Sequence, residues 1–100
     1  MLADHPNVRL LVDSFHLRMQ KEPASEIVRF GQLIRHAHVS EHAERGWPGK
    51  SREDLSDFYD ALRTIHYKGR LAIESKWDNL GRDLESSVGY LREQLKKSGL

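Results

Sequence analysis

No cysteine occurs in these 100 residues, so disulfides and thiolate metal sites are excluded and a reducing compartment is permitted. A surplus of one charge is missing as well. Sixteen Lys and Arg stand against 15 Asp and Glu, a net charge of +1 with the histidines neutral. That balance leaves no electrostatic footprint for nucleic acid or for an anionic membrane. No apolar run approaches the ~18 residues a bilayer-crossing helix needs. The opening stretch MLADHPNVRLLVD lacks the basic, then apolar, then small-residue order of a signal peptide, so the expected location is cytoplasmic. What is present is the composition of one modest globular domain, 38% hydrophobic and 31% charged. Histidine is abundant, with six copies. His36, His38, His42 and His66 lie in the middle third, which makes that region the first place to look for chemistry.

One pattern repeats three times: a short apolar run, a polar turn, then a helix. Val8 to Val12 reads as a buried strand ending at Asp13, bounded by the Pro6-Asn7 turn signal. Pro23 suits the start of a helix, and Glu26 to Phe30 reads as a short one stopped by Gly31. Leu33 to Val39 is the second strand, followed by a polar loop from Ser40 to Lys50 punctuated by Gly46, Pro48 and Gly49. Ser51 is the expected N-cap of the next helix, with Asp54 in its first turn. Leu55, Phe58, Tyr59, Leu62 and Ile65 give that helix one apolar face. Gly69 is expected to take the left-handed conformation before the third strand, Arg70 to Ile73, which ends at Glu74. A last helix, from about Asp83 to Lys97, carries Leu84, Val88, Leu91 and Leu95 on one stripe. Alternating strands and helices predict an α/β fold with a parallel sheet. Three such units leave two sheet edges open, so the expectation is an incomplete architecture: a fragment, a truncated product or one piece of an assembly.

Asp13, His38 and Glu74 each fall at the carboxyl end of a strand, and counting back by twos sets Leu11, His36 and Ala72 on the same faces. In a closed barrel that face can point inward, and the three polar heads would then converge at one rim. Each residue alone has an ordinary reading: a helix cap for Asp13, a hydrogen-bonded core residue for His38, a Lys76 partner for Glu74. Three in register at consecutive strand ends are hard to obtain by packing alone. Two carboxylates and an imidazole suit a divalent ion such as Mn²⁺, Co²⁺ or Mg²⁺ better than Zn²⁺.

The same residues resemble a known family. Leu11-Val12-Asp13-Ser14-Phe15-His16 is similar to the strand and D-T-x-H signature of the xylose-isomerase-like TIM-barrel superfamily. His36-Ala37-His38-Val39-Ser40-Glu41 with Arg45-Gly46-Trp47-Pro48-Gly49 resembles its H-x-H-[VI]-x-[ED] strand and R-x-x-P-G loop. Tyr67 to Glu74 resembles its Y-x-G-x-[LV]-x-[IL]-E run.

The resemblance implies three consecutive βα units, strands six to eight of a (β/α)8 barrel, with residues 1–100 as the C-terminal part. It implies metal ligands at Asp13, His38 and Glu74, a substrate hydrogen bond from His16, and a substrate contact from Arg45, one residue later in the loop than in ketose 3-epimerases. The implied activity is isomerisation or epimerisation of a small sugar, sugar phosphate or hydroxy-keto acid through a metal-stabilised enediolate, with Glu74 moving the proton. The usual opposing glutamate would precede residue 1, so this chain alone is expected to bind metal weakly and turn over little or nothing. Alternatives are an inosose dehydratase-like lyase of the same superfamily and a non-catalytic half barrel that self-associates or needs a complementing chain. The abasic-site nuclease branch is disfavoured, because residues 41–50 contain no D-x-H pair. Trp47 is expected to pack its loop rather than stack on a sugar.

Overall fold

The three apolar runs pair side by side as parallel strands, in the order β1-β2-β3, in a computed structural model that describes residues 5–100. The N-terminal leader reading rests in part on residues 1–4, which lie outside the described residues. In chain order the elements are β1 (Leu10–Asp13), α1 (Ser14–Met19), α2 (Ser25–Arg29), β2 (Ile34–Val39), α3 (Ser56–Thr64), β3 (Leu71–Ile73) and α4 (Leu80–Ser98). Single 3-10 turns cover Gly31–Leu33 and Ala43–Arg45. The parallel α/β architecture is as the alternation of patterns predicts.

Register follows from what the strands must bury. Asp13 pairs with His38, and His38 pairs with Ala72, so the strand ends stand abreast. Ala37 and Val39 are fully buried against the helices, together with Ile27, Leu55, Phe58, Tyr59 and Leu62. The apolar face of α3 is therefore the centre of the core, as its spacing predicts. Burying side chains of that size contributes about 1.5–3 kcal/mol each.

The structure departs from the sequence expectations at five places. The first strand starts at Leu10 rather than Val8, and it is not buried: Leu10 and Leu11 are 37% and 51% exposed. As an edge strand it packs toward the core through Val12, and Leu11 is left half exposed. A helix, α1, follows β1 without a break.

Ser51 does not cap α3, which begins at Ser56. The Ser51 amide instead donates to the Glu41 carboxylate at 2.7 Å, as do those of Gly49 (2.9 Å) and Glu53 (3.2 Å), so the segment is held as a loop. Asp54 supplies the side-chain oxygen at the helix start, accepting from the Ser56 N–H at 2.9 Å. The left-handed residue after α3 is His66 (φ 55) rather than Gly69. Gly69 is there for space, since a Cβ would lie 2.5 Å from Tyr67 Oη and 2.8 Å from the Arg35 carbonyl oxygen. Finally, α4 starts at Leu80, capped by Asn79, and it seats Asp83, Ser87 and Leu91, which leaves Leu84 45% exposed.

Candidate metal centre

The site forms where the chain leaves the carboxyl ends of the strands. Asp13 is the N-cap of α1, its Oδ1 accepting the His16 N–H at 3.1 Å. The ordinary reading of Asp13 as a cap is therefore true of one oxygen only. Its Oδ2 points the other way, 3.5 Å from His38 Nδ1 and 3.3 Å from Arg45 Nη2. His38 Nδ1 also contacts Glu74 Oε2, while Arg45 Nη2 lies 3.7 Å from that oxygen. Glu74 thus meets Arg45 and His38 rather than Lys76.

One donor atom from each of Asp13, His38 and Glu74 falls within a mutual 4.8 Å. A divalent ion takes oxygen donors at roughly 2.0–2.6 Å, so ligands on opposite sides of it stand about 4–5 Å apart. Two carboxylate oxygens and one imidazole nitrogen at these separations therefore fit one ion with small side-chain adjustments. Asp13 is buried, His38 half-buried and Glu74 exposed, which leaves the Glu74 side of the cluster open to a ligand.

Local structure places these groups. Ser14 and Ser40 extend the β1–β2 ladder beyond its last backbone pair: Ser14 Oγ donates to the Ser40 carbonyl at 2.8 Å and accepts the Ser40 N–H at 3.0 Å. Both residues are buried, so the ends of the two strands are held together in a dry environment. Backbone bonds set the third strand end, Glu74 N–H to the Val39 carbonyl (3.1 Å) and Lys76 N–H to the Arg45 carbonyl (2.8 Å).

Arg45 comes from the loop after β2, where it and Glu44 are consecutive left-handed residues (φ 51 and 57). Its guanidinium lies over the Phe15 ring, 4.7 Å from the centroid, and its Nε donates to the Glu74 carbonyl at 3.3 Å. His16 joins the site through its backbone; its exposed ring sits edge-on to Phe15 at 5.4 Å.

Three supporting residues carry no role in the sequence reading. Glu41, 1% exposed, is a buried carboxylate whose charge is met by three loop amides. An acid two residues past a strand end, ahead of a Gly- and Pro-rich loop, is the signal that could have marked it. Phe15 supports the guanidinium, and Ser87 ties the loop to α4 by donating to the Pro48 carbonyl at 2.8 Å. Outside the cluster, Trp47 stacks with Trp77, and its indole N–H donates to Asp78 at 3.1 Å, so it packs the loop as expected. Lys50 donates to the same carboxyl at 3.1 Å and, with Trp47, holds it below the usual carboxylate range.

Comparison with known proteins gives a consistent result. Residues 2–96 match the family model described as xylose isomerase-like TIM barrel. An L-ribulose 3-epimerase of Methylomonas sp. (strain DH-1) is 26% identical over 111 residues, which cover 95% of this chain and 38% of that protein. A D-psicose 3-epimerase of Ruminiclostridium cellulolyticum is 31% identical over 92 residues, 91% of this chain and 31% of that protein. The 3-keto-D-glucoside 4-epimerase of E. coli superimposes with a TM-score of 0.78 at 20% identity, over 90% of this chain and 35% of that one, which shows the shared fold. The chain thus spans about a third of the length of the curated relatives it matches.

Proposed function

The chain belongs to the xylose isomerase-like TIM-barrel family, and from that premise we propose that it supplies the C-terminal, metal-holding part of a sugar epimerase or isomerase acting on a small ketose. The observation that carries this reading is the approach of Asp13, His38 and Glu74 to within 4.8 Å at three neighbouring strand ends. The relatives' own substrates, L-ribulose and D-psicose, direct the reading to carbon 3 of a ketose.

In this reading Asp13, His38 and Glu74 hold a divalent ion, Mn²⁺, Co²⁺ or Mg²⁺ in preference to Zn²⁺, because two of the three donors are hard carboxylate oxygens. When bound, such an ion polarises a carbonyl and its neighbouring hydroxyl as a Lewis acid. Asp13 contributes rigidity, since its second oxygen is held by the α1 amide. Glu74, whose side chain is 54% exposed, takes the proton from the substrate carbon next to the carbonyl. His16 and Arg45 hold substrate oxygens from the two adjoining loops. Epimerisation also needs a second proton-carrying group on the opposite face of that carbon. Here it comes from outside these 100 residues, so the chain alone turns over little or no sugar.

The test is a chimaera joining this chain to the N-terminal part of the L-ribulose 3-epimerase relative. Supplied with Mn²⁺ and a ketose, it should interconvert the C3 epimers, and Glu74→Gln should abolish that conversion while the fold survives. A folded, Mn²⁺-loaded chimaera that leaves ketoses unchanged but dehydrates inosose would replace the epimerase reading with the lyase one.

A second reading concerns assembly. The exposed Leu10 and Leu11 on edge strand β1 favour a chain that associates with itself or with a complementing chain. Size-exclusion chromatography separates the cases, because a monomer with cooperative unfolding removes the need for a partner.

A further inference from the structure

We infer that Arg45 and the divalent ion compete for the same two carboxylate oxygens, which makes the guanidinium a built-in counter-cation of the site. The inference rests on the reading of Asp13, His38 and Glu74 as ligands and adds a regulator to it. Its basis is atomic. Arg45 Nη2 stands 3.3 Å from Asp13 Oδ2 and 3.7 Å from Glu74 Oε2, the two oxygens that also face His38 Nδ1. Asp13 has no spare oxygen to offer instead, because Oδ1 is engaged by the His16 amide. A cation bound to Oδ2 and Oε2 would therefore stand within a few ångströms of a second positive charge, and each would weaken the hold of the other.

Arg45 cannot simply drift away into solvent. Its Nε donates to the Glu74 carbonyl, its own carbonyl accepts the Lys76 amide at 2.8 Å, and Phe15 supports one face of the guanidinium. The backbone pays for this placement with two successive left-handed residues, Glu44 and Arg45, a conformation side chains rarely adopt. Once an ion holds the carboxylates, the Arg45 donors are released toward the open Glu74 side, where they can take an oxygen of an incoming ligand. Ion first, substrate second is the order that follows.

The experiment titrates the full 100-residue chain with Mn²⁺ at pH 7 and follows the electron paramagnetic resonance signal of the free ion. Arg45→Met, which keeps an unbranched apolar stem and removes the charge, should bind about tenfold more tightly than wild type or better. Arg45→Lys should stay within about threefold of wild type, because the point charge remains. Without metal, Arg45→Met should melt earlier, since its two carboxylates lose their shared cation. A second measurement needs no variant. Titrating wild type with Mg²⁺ should shift the Arg45 Nε–H resonance and saturate together with ion binding.

Arg45→Met binding no tighter than wild type, or an Nε–H resonance that stays put while Mg²⁺ binds, overturns the inference and leaves the metal site standing. Absence of saturable binding in every form, or an Asp13→Asn variant that binds as well as wild type, removes the metal reading and this inference with it.

Discussion

Ser14 and Ser40 exchange a reciprocal pair of hydrogen bonds across the ends of β1 and β2, Oγ to carbonyl at 2.8 Å and amide to Oγ at 3.0 Å, with both residues buried. One hydroxyl thereby does what a further rung of the ladder would do, and it does so one residue past Asp13 and two past His38. Replacing Ser14 by alanine leaves a buried N–H and a buried C=O without their partner. The expected cost is about 1–3 kcal/mol in urea-induced unfolding, together with weaker Mn²⁺ binding as the two side chains lose their fixed spacing. An unchanged urea midpoint would show that the pair is ornamental.

Glu41 to glutamine should be more damaging than its isosteric shape suggests. Oε2 accepts from Gly49 and Glu53 and Oε1 from Ser51, so both oxygens are already facing donors. A glutamine must set its own NH₂ against one of those amides. Hydrogen bonds to a charged group are worth about 1.5–3 kcal/mol, and that is the loss expected here. Native-state hydrogen exchange localises it. The amides of Gly49, Ser51 and Glu53 should open first, before the β2 amides.

The sequence carries the parallel order of the strands and the approach of Asp13, His38 and Glu74, because strand ends and side-chain parity are local properties of short apolar runs. It does not carry the features that depend on long-range partners. Ser51 looks like a cap until Glu41, ten residues earlier, claims its amide. Gly69 looks like a left-handed residue until His66 takes that role and Tyr67 folds over the glycine. Leu84 shares its stripe with Leu91, yet α4 is seated through Asp83, Ser87 and Leu91, so the stripe is only half used. Arg45 is the sharpest case. Its reach to two carboxylates requires positive φ at both Glu44 and Arg45, and no residue type there announces it.

Acid should destabilise the α1–α3 contact through one identifiable carboxyl. Arg18 grips Asp57 with two hydrogen bonds, 2.9 Å and 2.5 Å, and Glu53 lies 4.0 Å from the same guanidinium. The Arg18 hydrogen bond holds the Asp57 carboxyl below its usual value; partial burial opposes it, the Arg18 charge and the Phe58 amide act in the same direction, and Asp54 acts against it. A carboxyl depressed in the folded state contributes stability above its unfolded value of about 3.9, and that stability is lost as the pH falls through the lower folded value. Wild type should therefore lose stability below about pH 4 by a route that Asp57→Asn lacks, so the two pH–stability curves converge in acid. Asp57 is half exposed, so the gap should be small and should narrow further in 1 M salt. Parallel curves from pH 7 down to pH 2 would count against the pair.

Two glycines make opposite predictions under the same substitution. A Cβ on Gly69 would sit 2.5 Å from Tyr67 Oη, 2.7 Å from its Cζ and 2.8 Å from the Arg35 carbonyl oxygen. The ring cannot yield freely, because Tyr67 Oη donates to the Arg70 carbonyl at 2.5 Å just before β3 begins. Gly69→Ala should therefore cost about 1–3 kcal/mol, the usual penalty for overpacking, and should disturb the entry to the strand that carries Glu74. Gly89 lies inside α4 with nothing within 4 Å of the position a Cβ would take. Gly89→Ala should stabilise by about 0.5–1 kcal/mol, since alanine has less freedom to lose when the helix forms. Thermal denaturation followed by circular dichroism reads both. Equal effects of the two changes would mean that neither the crowding at Gly69 nor the open space at Gly89 governs stability.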